Sequence, residues 1–363
     1  MPETAYASCG ELSLAYQVFG SGSVNLLLAG SFVSHVELLW TSPETKAWFD
    51  RLGSFARVAL FDKAGVGLSD PVPSVRTIEE RAEEIEAVLD AVGFDNAVLM
   101  GISEGGPAAI VFAATRPDRV TSLVLLGTFA SGLQTSWDDL DRDPAELVER
   151  AWRDLGEAYA PAPEKIVALF DHWKAVRSSW GSGDAMRALV PSFRSKQLLG
   201  ALERMSASPG MARATLEAAL RIDVRAALPA LAVPTLVVHA IDDAIPVQFG
   251  RYLADHIPLA QLVEVSGRDH APWFSDPDHI AAVVEEFVPG RSPCRAQSAT
   301  SSSARASRSR TAGHTSCGAF PGRGTSWPSC REMTRRRHRR SRSRSARRRR
   351  RPRGCAARTG QSR

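Results

Sequence analysis

Through the first 290 residues, short unbroken apolar runs alternate with longer stretches in which apolar residues return at helical spacing. Asn25–Ala29 (NLLLA) and Arg57–Asp62 (RVALFD) are runs of the first kind, followed by Gly30 and by the turn-rich Gly65-Val66-Gly67. Asn96–Gly101, Val120–Leu126, Pro234–Ala240 and Gln261–Val265 read the same way. A strand covered on both faces has no polar side to present, so it shows as continuous apolar sequence rather than as alternation. Thr77–Val92 is of the second kind. Ile78, Ala82, Ile85, Val88, Leu89 and Val92 share one helical face, Glu79, Glu80, Glu83, Glu84 and Glu86 lie mostly off it, and Gly93 ends the helix. Gly105–Thr115, stopped before Pro117, and the amphipathic Asp276–Phe287 are further helices.

This order predicts an α/β fold with a mostly parallel sheet and helices on both faces. Two strand candidates around Cys9-Gly10 predict an antiparallel hairpin at one edge. Between about Phe129 and Leu228 the strand signals vanish, and Trp and Pro appear among helical stretches. That region reads as a helical insertion between two strands of the sheet.

Charge divides the chain. Of its 45 basic residues, 22 lie from Arg291 onward, all Arg, with one of its 40 acidic residues, Glu332. The body is therefore near −16 and the tail near +21, and the net +5 is no sign that the body binds nucleic acid. Residues 291–363 contain no Leu, Ile or Val, cannot offset chain entropy by burial, and are expected to be disordered. Two origins fit this tail. One is out-of-frame translation of GC-rich DNA, whose codons give Arg, Ala, Pro, Gly and Ser. The other is a genuine Arg/Ser tail, whose blocks Arg335–Arg340 and Arg347–Arg351 would bind nucleic acid non-specifically and with strong salt dependence. Its Cys and His residues lack zinc-finger spacing.

No run of about 18 apolar residues spans a bilayer. Met1-Pro2-Glu3-Thr4 opens no secretory signal, and Cys9 alone in the body makes no disulfide framework. A cytoplasmic protein without membrane association is expected.

The strongest chemical signal is Gly101-Ile102-Ser103-Glu104-Gly105-Gly106, a G-x-S-x-G between a strand and a helix. A serine on so sharp a turn takes a strained backbone, needs small residues two places either side, and stands above the sheet edge at a helix N-terminus. A serine hydroxyl needs a base. His270 lies in the loop after Gln261–Val265, at the carboxyl edge where ligands bind in open α/β sheets. His239 lies inside a strand and reads as a packed residue, His256 and His279 lie on helices, and His314 and His338 are in the tail. His35, after the first glycine loop, reads equally as a pocket or a surface residue. The orienting acid belongs between serine and histidine in chain order. Asp242 and Asp243 both follow Pro234–Ala240; Asp243 is preferred and Asp242 is the alternative, the other being a turn or cap residue. The oxyanion donors are expected to be the N–H of Glu104 and that of Phe32, with Ser31 as the alternative to Phe32. Each is worth about 3 kcal/mol of barrier.

In this order these residues resemble the α/β-hydrolase superfamily over about residues 1–290. Phe61-Asp62-Lys63-Ala64-Gly65-Val66-Gly67-Leu68-Ser69-Asp70, Gly30-Ser31-Phe32-Val33-Ser34-His35, Ser103-Glu104-Gly105-Gly106-Pro107 and Asp269-His270-Ala271-Pro272-Trp273 resemble one bacterial group more closely. In that group the hydrolase domain is often joined to a class III adenylate/guanylate cyclase or to a transcriptional regulator. One departure is Ala64, where the group usually has Arg. The resemblance implies a hydrolase core of 1–130 and 226–290, a helical lid over 131–225, and a Ser103–Asp243–His270 triad. The activity to expect is that of a serine hydrolase cleaving an ester, lactone or similar acyl bond of a small molecule through an acyl-enzyme, with no metal or organic cofactor. Activity should rise with pH as a histidine base becomes neutral. Ser at the nucleophile position speaks against dehalogenase and epoxide hydrolase chemistry. The alternative is a ligand-sensing, hydrolase-like domain that regulates a partner output domain. Trp137, Trp152, Phe170, Trp173, Trp180 and Phe193 would either line an acyl pocket or form the core of the lid.

Overall fold

The computed structural model describes residues 1–274 and 276–288. The expectations for the tail lie outside the described residues. Strands β1 (Thr4–Cys9), β2 (Leu12–Phe19) and β3 (Val24–Ala29) lead into helix α1 (Pro43–Gly53). Strand β4 (Ala56–Phe61), helix α2 (Ile78–Ala91), strand β5 (Ala97–Ile102), helix α3 (Gly106–Thr115) and strand β6 (Val120–Leu126) follow. Five helices come next: α4 (Pro144–Leu155), α5 (Pro163–Ser179), α6 (Asp184–Leu189), α7 (Lys196–Ser206) and α8 (Pro209–Arg221). The chain then returns through β7 (Thr235–Ala240), α9 (Gln248–His256), β8 (Ala260–Val265) and α10 (Pro277–Phe287).

The strands form one sheet in the order β1-β2-β4-β3-β5-β6-β7-β8. β1 and β2 are an antiparallel hairpin at one edge, and β4 through β8 run parallel. Side chains alternate across the strands into two cores. Leu26, Leu28, Met100 and Val124 face Trp48 and Leu52 of α1 and Ile280 and Val284 of α10. Leu27, Leu99, Leu123 and Leu125 face Ile85 of α2, Phe112 of α3 and Leu253 of α9. This two-sided cover is the physical reason the strands read as unbroken apolar runs.

Local chemistry sets the helix ends. Thr77 and Glu80 form a reciprocal capping box at the start of α2, and Asp276 caps α10 by accepting from the N–H of His279 at 3.0 Å. Helix α1 formed no part of the sequence reading, although Thr45, Trp48, Phe49 and Leu52 bury one face of it at helical spacing.

The helical segment leaves and returns at one place. Ser131 and Asp223 form an isolated antiparallel bridge; Gly132 N–H donates to the Ile222 carbonyl at 2.7 Å and Val224 N–H to the Ala130 carbonyl at 2.8 Å. Among the described residues, no helix is long and apolar enough to cross a membrane.

Candidate active site

Ser103 sits between β5 and α3 with φ of +52°, one of two non-glycine residues in the left-handed region among those described. The glycines around it permit the turn. A Cβ on Gly101 would lie 2.7 Å from the Gly106 Cα, and one on Gly105 would lie 2.8 Å from the Gly30 carbonyl oxygen. The elbow is thus pressed against the loop that carries Phe32. Phe32 is buried, and its ring packs on Trp180 of the helical segment at 5.4 Å between centroids.

His270 follows β8, as the sequence predicts. Its Nδ1 lies 3.0 Å from both Asp243 oxygens, and Asp243 also accepts from the Ile245 N–H at 2.9 Å. Nε2 of His270 is buried and makes no hydrogen bond. Asp242 points to solvent, 3.8 Å from the Lys165 ammonium, so of the two aspartates only Asp243 meets the histidine. His270 N–H donates to the Leu189 carbonyl at 2.8 Å, and Asp269 accepts from the Ser192 N–H at 2.9 Å. The histidine loop is therefore held by the helical segment. Gly127, at φ +55°, lies where a Cβ would come 3.2 Å from Cε1 of the His270 ring.

Two cavities meet at this point. Both are lined by Ser103, His270, Phe32 and Leu189. The larger, about 130 Å³, runs between the sheet and the helical segment past Trp48, Phe49, Met186 and Leu199. The smaller, about 50 Å³, is walled by Leu169, His172, Trp173, Leu216 and Phe249.

Beneath the elbow lies a buried ion network. The Glu104 carboxylate takes the Lys63 ammonium at 2.7 Å and an Arg81 guanidinium nitrogen at 2.5 Å, and Arg81 also donates to the Glu104 carbonyl at 3.1 Å. Burial, with help from the Arg81 charge and against the pull of Glu104, pushes Lys63 down to about 8. Asp62 is a second buried anchor. It accepts from Ser34 Oγ at 2.5 Å and from the N–H groups of Val36 and Leu68, and burial pushes its carboxyl up. Gly67 is required there, because a Cβ would lie 2.0 Å from an Asp62 oxygen. The loop after β4 therefore braces the loop after β3.

His239 is fully buried in β7, as a packed residue; its Nε2 meets the Ile245 carbonyl at 2.9 Å, and burial holds its pKa down. His35 is buried too, with Nδ1 accepting from the Leu38 N–H at 3.2 Å, which removes the surface option. Of the six helical-segment aromatics singled out from sequence, Trp173 alone lines either cavity. Phe170 and Phe193 pack in cores, Trp137 and Trp152 donate to the backbone carbonyls of Arg213 and Pro161, and Trp180 donates to that of Ala207.

Sequence reasoning missed Thr128, which donates to the Ser103 carbonyl at 2.5 Å, and the Lys63–Glu104–Arg81 network. Thr128 follows β6 at the same sheet edge as the other site loops, and that position was the available signal. His172 was missed as well. Among the described residues, no cluster of three His, Cys, Asp or Glu side chains has the spacing to hold a metal ion.

The profile of the alpha/beta hydrolase fold family matches residues 46–277. A pimeloyl-(acyl-carrier protein) methyl ester esterase of Neisseria meningitidis serogroup C is 31% identical over 57% of this chain and 76% of its own length. A karrikin insensitive 2 receptor of Petunia hybrida is 25% identical over 75% of this chain and 94% of its own. Among solved structures, a thermophilic esterase from Thermogutta terrifontis is 26% identical with a TM-score of 0.56, over 78% of this chain and 97% of its own.

Proposed function

The chain is an enzyme of the alpha/beta hydrolase fold family, and from that premise we propose that it cleaves esters or lactones of small carboxylic acids through Ser103, His270 and Asp243. The carrying observation is the state of His270. Its Nδ1 is fixed by Asp243, and its Nε2 is left without a partner beside the two cavities that Ser103 lines. Nε2 takes the Ser103 proton as Oγ bonds to the acyl carbon. The same nitrogen returns that proton to the leaving oxygen, and a water repeats the sequence on the acyl-enzyme. The N–H groups of Glu104 and Phe32 hold the oxyanion. The helical segment acts as a lid, since α6 and α7 wall the larger cavity, α5, α6 and α8 wall the smaller one, and the Leu189 carbonyl holds the histidine loop. A cavity near 150 Å³ takes up benzene, so the 130 Å³ space suits an apolar group of about that size or smaller. The test is a panel of short-chain p-nitrophenyl esters and simple lactones. Turnover by the wild type should fall at least about 10³-fold in Ser103→Ala. Equal turnover by both proteins overturns the proposal.

Likeness to a plant receptor favours a second reading. In it the same pocket reports ligand binding to an output domain, such as a fused cyclase or transcriptional regulator. Absence of turnover together with ligand-dependent thermal stabilisation would select it.

A further inference from the structure

The smaller cavity contains a polar group for which hydrolysis has no use. His172 lies on α5, is 5% exposed, and shares that cavity with Ser103 and His270. Its Nδ1 is buried and has no hydrogen-bond partner. In the neutral ring with its proton on Nε2, Nδ1 is a bare acceptor. Burial, reinforced by the nearby His270, pushes the ring down to about 4, so it stays neutral near pH 7. Buried polar atoms almost always find a partner, and an unmade bond in a dry site is costly. This unmade bond belongs to a residue that walls the cavity beside the nucleophile.

We propose that His172 is a substrate-binding residue whose Nδ1 accepts a hydrogen bond from a hydroxyl on the part of the substrate that enters the smaller cavity. The inference rests on the hydrolytic reading of Ser103 and sharpens it. The substrate class is a hydroxylated ester or lactone, with an apolar group in the larger space and a hydroxyl-bearing group in the smaller one. A site built around a buried acceptor discriminates strongly against an analogue that lacks the hydroxyl, because the acceptor is then left unpaired.

The test uses pairs of esters that differ only by exchange of a terminal methyl for a hydroxyl, such as propyl butyrate against 2-hydroxyethyl butyrate. A second pair, propyl butyrate against propyl 3-hydroxypropanoate, places the hydroxyl on the acyl side. In the full chain, kcat/KM should favour the hydroxylated member of at least one pair by about tenfold or more. In His172→Phe the ratio should drop to about one, and in His172→Gln, whose amide oxygen still accepts, part of it should return. Because the readout is a ratio within one protein, a smaller folded fraction cancels. The same pairs are titrated calorimetrically onto Ser103→Ala and onto Ser103→Ala/His172→Phe, which needs no turnover. A binding preference that disappears with His172→Phe supports the inference even if the esterase reading fails. Turnover with no preference in either pair, or a preference that survives His172→Phe, overturns the inference and leaves the esterase reading standing.

Discussion

At the scale of single residues, the site depends on groups held in conditions they would not choose alone. Ser103 keeps a left-handed backbone, and the Thr128 hydroxyl ties down its carbonyl. Asp243 is buried with both oxygens toward His270, whereas its neighbour Asp242 is in water. Asp243→Asn should lower kcat by about 10⁴, the loss expected when an imidazole is held in the wrong tautomer. Asp242→Asn should leave kcat within about twofold, because exposed ion pairs contribute little. Steady-state kinetics on a p-nitrophenyl ester checks both. Gly127→Ala puts a methyl against the His270 ring at a backbone angle that costs a non-glycine residue about 1–2 kcal/mol. It should reduce kcat more than tenfold with only a modest drop in thermal midpoint, a separation that paired activity and unfolding measurements reveal.

At the scale of elements, what the sequence made legible follows burial. β6 matches its expected bounds, and β3, β4, β5, β7 and β8 fall within a residue of theirs; all but the edge strand β8 are covered on both faces, which leaves few polar positions to blur them. α2 was legible through its stripe of apolar residues, whereas the capping box at its start is a finding of the structure; Thr77→Ala should cost about 1 kcal/mol in a denaturant titration. The aromatic residues of the helical segment were not assignable. Composition says that a tryptophan is present, while tertiary packing decides which way its helix turns it. Hence Trp173 reaches a cavity and Trp152, its indole N–H spent on the Pro161 carbonyl, does not. The meeting of His270 with Asp243 beside cavities that Ser103 lines was legible because each of the three follows a strand at the same sheet edge. His172 had no such frame, since it lies mid-helix in a segment with no strands to orient it.

At the scale of the whole molecule, buried ionisable groups govern the response to acid. His172 has an ordinary value of 6.5 and a folded value of about 4. Between these two values the unfolded chain binds a proton that the folded chain refuses, so stability falls as pH drops through that window, by roughly 3 kcal/mol in total. Burial lowers His239 in the same direction and adds to the loss. Asp62 and Glu84, whose carboxyls burial pushes up, act in the opposite sense because the folded chain takes up their protons first. Comparing urea midpoints of wild type and His172→Phe from pH 7 to pH 4 isolates the histidine. The variant should show the shallower decline, and parallel curves would contradict it.

The narrow neck formed by Ser131 and Asp223 has a consequence for how this molecule diversifies. The backbone departs and rejoins through one bridge, whose flanking residues exchange two backbone hydrogen bonds, so the excursion behaves as a cassette with a fixed socket. Its length and side chains can be exchanged without altering the span the framework must bridge. A segment swapped in at that junction would keep the framework's span, but it must also restore the backbone contacts that Leu189 and Ser192 make to the histidine loop.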